Sequence, residues 1–103
     1  MSDGFIAVAE ASAIPIGTAK QVIVGGKEIG VFNVDGEFFA MADECTHEEA
    51  FLSEGETFGA VVECPLHGAR FDVRTGKALS LPAVYPVKTY DVRIVDGQIQ
   101  LRV

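Results

Sequence analysis

Two short loops constrain what this chain can fold into. The sequence holds two cysteines and two histidines, and all four fall in one pair of motifs, Cys45-Thr46-His47 and Cys64-Pro65-Leu66-His67-Gly68. A fold that uses them together must bring to one point two segments separated by sixteen residues. A core thiol beside an incidental histidine accounts for one such motif, but poorly for two that exhaust the supply. Four soft ligands in matched pairs therefore point to a metal site.

Around these loops the chain is punctuated for strands. Gly25-Gly26, Asp35-Gly36 and Asp96-Gly97 are two-residue hairpin signals. They separate β-type runs at Ala19 to Val24, Glu28 to Val34, Glu37 to Met41, Lys88 to Val95 and Gln98 to Val103. Thr57 to Glu63 and Ala69 to Val73 predict further strands, followed by a turn at Arg74-Thr75-Gly76-Lys77. Leu81 to Pro86 is expected to be a loop, since neither Pro82 nor Pro86 can donate to a central ladder. Phe5 begins a first apolar run that ends near Pro15, with room for a helical turn or two over Ala7 to Ile14. Phe38, Phe39 and Phe58 are expected in the core, and Arg70, Arg74 and Lys77 on the surface. The prediction is an all-β fold of small antiparallel sheets or a partly closed barrel, one domain over residues 1–103.

Charge and hydropathy exclude several classes. A formal net charge of -7 argues against nucleic acid and for a basic protein surface as partner. The apolar stretch from Phe5 to Gly17 is broken by Glu10 and Pro15 and is too short to span a membrane. Met1-Ser2-Asp3-Gly4 lacks the basic and apolar regions of a signal peptide, so a cytoplasmic location is expected. In that reducing compartment a metal is a better use of two cysteines than a disulfide.

The ligand order then bears on which metal. Two Cys and two His would satisfy a structural zinc, but zinc modules group like ligands, a Cys pair in one turn and a His pair in another. Here each loop supplies one of each, which suits a two-iron cluster gripped by both loops. Cys45-x-His47 followed by Cys64-x-x-His67 resembles the ligand signature of Rieske [2Fe–2S] proteins. The likeness continues through Leu52-Ser53-Glu54-Gly55, Cys64 to Asp72 with Thr75-Gly76, and Leu81 to Pro86, as in the ferredoxins of bacterial aromatic-ring dioxygenase systems.

That resemblance implies a cluster-binding subdomain made by two loops over about 43–68, covered by a proline loop at 81–86. Cys45 and Cys64 would bind one iron and His47 and His67 the other. Thr46, Pro65, Leu66, Gly68 and Pro82 would surround the cluster, with Leu66, Phe51 and Pro82 excluding water. High-potential relatives carry two more cysteines, where this chain has Ala50 and Leu66, and a Ser and a Tyr donor, where it has Ala69 and Phe71. Ten of the fifteen acids lie between Glu28 and Glu63, with no Lys or Arg from Glu28 to Ala69. Both features predict a potential near the low end of the family range, about -150 mV.

The resemblance also implies the role: an electron carrier without catalysis of its own, placed between an NAD(P)H-dependent flavoprotein reductase and a terminal oxygenase. Once the cluster takes both histidines, none is left for a two-His, one-carboxylate catalytic iron. Glu44, Glu48 and Glu49 would form an acidic docking rim, or else serve only as solvated loop charges. A small Rieske subunit of a larger redox enzyme, such as an assimilatory nitrite reductase, is the second expectation, and a structural zinc module the third.

Overall fold

The computed structural model describes residues 4–44, 50–66, 68–81 and 85–103. Among these the chain forms nine strands: β1 (Phe5–Glu10), β2 (Ala19–Val24), β3 (Lys27–Val34), β4 (Glu37–Ala42), β5 (Glu56–Phe58), β6 (Val61–Glu63), β7 (Arg70–Asp72), β8 (Thr89–Val95) and β9 (Gln98–Arg102). Every pairing is antiparallel. Six strands make one sheet in the order β1-β9-β8-β4-β3-β2, and β5-β6-β7 make a second.

The hairpins form where the turn chemistry placed them. Gly25-Gly26 has φ of 57° and 80°, Asp35-Gly36 53° and 92°, and Asp96-Gly97 50° and 76°. Two successive left-handed residues are what a tight hairpin matched to strand twist requires, and Asp followed by Gly tolerates them best.

β3 is the central strand, and its alternation divides the interior in two. Ile29 and Val31 point into one core with Ile14, Val22, Ala40, Ile99 and Leu101, so the large sheet curls onto itself. Phe32 and Val34 point the other way, into a core with Met41, Leu52, Val62, Cys64, Ala69, Phe71, Val73 and Val87. This second core joins the large sheet to the small one. The buried Asn33 is satisfied, donating to the Ile14 carbonyl at 2.7 Å and accepting from Gly36 N–H at 2.8 Å.

Three details differ from expectation. The run from Thr57 to Glu63 is two strands, because Gly59, at φ 61°, turns the chain between them. Phe58 is 47% exposed, although a core position was expected for it. In the small sheet Thr57 pairs with Val62 and Val62 with Phe71, and this row faces the core, which sends Phe58 and Val61 to the outer face. Arg70 covers the exposed ring, with its guanidinium 5.1 Å from the centroid. The helical turn allowed near Ala7 to Ile14 is a single 3₁₀ turn at Ala11–Ala13, after a strand that runs to Glu10.

Candidate metal centre

Both ligand motifs fall on connections of the small-sheet region. The first follows β4, and its residues 45–49, with Cys45, Thr46, His47, Glu48 and Glu49, lie outside the described residues. The ends of that segment are closely tied. Glu44 bridges Phe51 in antiparallel fashion, and Leu52 N–H donates to the Asp43 carbonyl at 2.7 Å. Asp43 itself is fully buried, and its carboxylate accepts from Ser53 N–H at 2.7 Å, the Ser53 hydroxyl at 2.6 Å and the Gln21 amide at 2.9 Å. Glu44 is exposed beside it, and Phe51 is half-buried.

The second motif joins β6 to β7. Cys64 is 2% exposed, and its N–H donates to the Ala69 carbonyl at 2.6 Å, which draws the turn shut. Pro65 is exposed and Leu66 is 44% exposed. Gly68 adopts φ 71°, a sharp reversal that a side chain would resist. His67 lies outside the described residues.

A backbone contact joins the segment that follows the first motif to the residue that precedes the second. A Cβ on Gly55 would stand 1.9 Å from the Glu63 carbonyl oxygen, so the 3₁₀ turn Leu52–Glu54 and the residue before Cys64 meet main chain to main chain. Leu52 and Val62, both fully buried, fill the space beneath. The residues leading into the proline loop are anchored to β7. Arg70 N–H donates to the Ser80 hydroxyl at 3.0 Å, and Leu79 N–H to the Arg70 carbonyl at 2.8 Å. At its far end Val87 N–H donates to the Gly76 carbonyl at 2.8 Å, where a Cβ on Gly76 would meet the Val87 carbonyl at 2.1 Å. Pro82 lies outside the described residues. Arg70 is exposed, as expected; it starts β7, inside the run Ala69 to Val73 that predicted a strand, and pairs with Glu63 across β6 and β7 at 3.2 Å.

The donor chemistry fits an iron–sulfur group. Cys64 is a buried thiol in a closed turn, with glycine where the chain must double back. Among the described residues no group of three or more His, Cys, Asp or Glu side chains is gathered; three of the four candidate ligands lie outside those residues.

Comparison with known proteins is decisive about the family. The family model for the Rieske [2Fe-2S] domain matches residues 4–91. The chain belongs to the Rieske family. This Rieske chain is 48% identical over 104 residues, 100% of its own length and 96% of the other's, to the 3-phenylpropionate/cinnamic acid dioxygenase ferredoxin subunit of Photorhabdus laumondii. Its fold matches the ferredoxin of Sphingomonas yanoikuyae B1 with TM-score 0.91 and 35% identity, covering 95% of this chain and 97% of that one. It also matches, with TM-score 0.90 and 35% identity over 98% and 94% of the two chains, the complex of reduced oxygenase and oxidised ferredoxin in carbazole 1,9a-dioxygenase. The cofactor of this Rieske chain is the [2Fe–2S] cluster, whose two-Cys, two-His ligand set agrees in type and number with the cysteines and histidines present. Among the described residues no helix is long and apolar enough to cross a membrane.

The residues that sequence reasoning passed over are Asp43, which ties together the two flanks of the first motif, and Gly55, which lets the turn after that motif meet Glu63. Asp43 carries no local signal; its side-chain partners lie 10 and 22 residues away. Gly55 stands in a segment already noted for its family likeness, but its contact with Glu63 is tertiary.

Proposed function

We propose that this Rieske chain carries single electrons from a flavin-containing, NAD(P)H-dependent reductase to the terminal oxygenase of an aromatic-ring dioxygenase system. The observation that carries this reading is 48% identity over the whole chain to a dioxygenase ferredoxin subunit. The bound cluster supplies a one-electron couple. The chain's part is to hold that group, limit its exposure to water and present it to two partners in turn.

Cys45 and Cys64 would hold one iron, and His47 and His67 the other. Thr46, Pro65, Leu66, Gly68 and Pro82 would surround them. Cys64 is supported by its burial and by the turn that closes over it. Ala69 and Phe71, both fully buried, have no side-chain donor, so they leave the potential low, near about -150 mV. Glu44 is exposed at the base of the first loop, and with Glu48 and Glu49 would steer a basic partner at a rate that falls as salt rises. Residues 1–103 would act as one domain, in the cytoplasm.

The test is a visible spectrum and EPR of the reduced protein, followed by reductase-coupled turnover. A red-brown protein with a rhombic Rieske signal and a midpoint near about -150 mV is expected. A colourless zinc protein sinks the cluster, and a clearly positive midpoint sinks the low-potential role. Charge reversal at Glu48 and Glu49 should raise the apparent KM for the partner; unchanged turnover and salt dependence would remove those residues from docking.

A further inference from the structure

Asp43 is the one fully buried carboxylate among the described residues, and it stands two positions before Cys45. Taking such a group out of water is costly unless its oxygens are fully engaged. Here Oδ1 accepts from Ser53 N–H, and Oδ2 accepts from both the Ser53 hydroxyl and the Gln21 amide. All three partners donate, the arrangement an acceptor-only, ionised carboxylate requires. The main chain of the same residue makes two more bonds: its N–H donates to the Glu28 carbonyl at 3.0 Å, and its carbonyl accepts from Leu52 N–H. One residue therefore joins β2, the start of β3 and the 3₁₀ turn that follows the first loop.

Room for this carboxylate is made on β3. A Cβ on Gly30 would lie 2.7 Å from Asp43 Oδ1 and 2.9 Å from the Phe32 ring, so any larger residue there would displace the group. General stability is a poor explanation for it. Buried ionic groups replaced by well-packed apolar ones often leave a protein as stable or more so. The bonds to Ser53 span ten residues and enclose the whole first ligand motif.

We infer that Asp43 is a positioning residue for the cluster: it clamps both ends of the first ligand loop through Ser53 and holds a fixed negative charge at the base of that loop. The inference rests on Cys45 and His47 being cluster ligands. A charge in so buried a place is weakly screened, so it opposes addition of an electron to the nearby cluster.

The test uses the holoprotein. Asp43→Asn keeps the shape: its oxygen can still accept from Ser53 N–H, while the Ser53 hydroxyl and the Gln21 amide can reorient to accept from the new amide. The charge is lost, and the reoriented Gln21 amide gives up only its exposed, 3.3 Å bond to the Glu28 carboxylate. A positive shift of the midpoint potential is expected; an unchanged or more negative midpoint overturns the inference, whatever happens to the unfolding temperature. If Asp43→Asn is isolated without cluster, Ser53→Ala decides. It should release the cluster to a chelator about tenfold faster, the factor equivalent to about 1.4 kcal/mol of lost hydrogen bonding. An unchanged rate overturns the inference. A wild-type protein without the Rieske spectrum, or a Cys45→Ala protein that keeps it, refutes the ligand assignment and with it the inference. A normal wild-type cluster that ignores the Asp43 and Ser53 changes refutes the inference alone.

Discussion

Replacing Gly55 by alanine would place a methyl carbon 1.9 Å from the Glu63 carbonyl oxygen and 3.2 Å from that of Leu52. The backbone at Gly55 is ordinary, with φ -82°, so the whole penalty comes from that contact. Contacts under 3.0 Å are essentially never made by real Cβ atoms, so the oxygen must recede by about 1 Å or more. Neither side yields easily. Gly55 N–H is bonded to Leu52, Leu52 to Asp43, and Glu63 is paired on both sides with Glu56 and Arg70. Overpacking of this kind costs about 1–3 kcal/mol, and a backbone hydrogen bond lost in the adjustment adds about 1 kcal/mol. The sum, about 2–4 kcal/mol, corresponds to a fall in Tm on the order of 10–25 °C for a domain of this size. The assay is thermal unfolding of the holoprotein by circular dichroism, with chelator-driven bleaching followed in parallel. Gly59→Ala is the control: φ is 61° there and no atom lies within 4 Å of the new Cβ, so only about 1–2 kcal/mol of backbone strain is expected. A Gly55→Ala protein that melts within about 4 °C of wild type would refute the close approach of Gly55 to Glu63.

Three further outcomes follow from the same scaffold. Phe71→Ala, at a fully buried position of the core shared by both sheets, should cost about 3–5 kcal/mol in denaturant unfolding; a loss below about 1 kcal/mol would contradict that burial. Ala69→Ser places a hydroxyl at a buried position next to the closed turn of Cys64 and should raise the midpoint. One hydrogen bond of about 1 kcal/mol to the cluster would amount to about 40 mV, and an unchanged or lower value in a redox titration would show that no such bond forms. Arg70→Ala removes an ion pair whose side chains are 50% and 31% exposed, so stability should change by no more than about 1 kcal/mol. A larger loss would mean that the cover over Phe58 matters more than the charge.

What could be read in advance was whatever is local. Asp35-Gly36 and Asp96-Gly97 specify their hairpins because positive φ at both residues is a property of that dipeptide and its turn. Cys64 and Gly68 could be placed on a connection because strand-type runs flank them, Thr57 to Glu63 before and Ala69 to Val73 after. Phe58 was misplaced because Thr57 to Val62 is apolar on both faces, and only the pairing of Thr57 with Val62 decides which side is inward. Gly55 and Gly59 look alike in sequence, yet one relieves a clash with a distant carbonyl and the other a strained φ. Asp43 was invisible because nothing near it in the chain reveals a buried acceptor; Gln21 and Ser53 reach it only after β2 and β4 share a sheet.

The pairing of β4 with β8 has a consequence for how such a molecule can be altered. Met41 lies opposite Thr89, and Ala42 N–H donates to the Lys88 carbonyl at 2.8 Å. The chain thus leaves the large sheet and rejoins it at a single seam, and the small sheet is an excursion between two adjacent points. The register of β2, β3 and β4 is set by their own hairpins, and that of β8 and β9 by theirs. Lengthening or shortening the excursion changes chain-closure entropy only slowly and leaves that register alone. Residues 43–88 could therefore be exchanged between carriers of this architecture without disturbing the strand register, provided the recipient body keeps the Gln21 and Gly30 that meet Asp43 and the Phe32, Val34 and Met41 face that meets the small sheet.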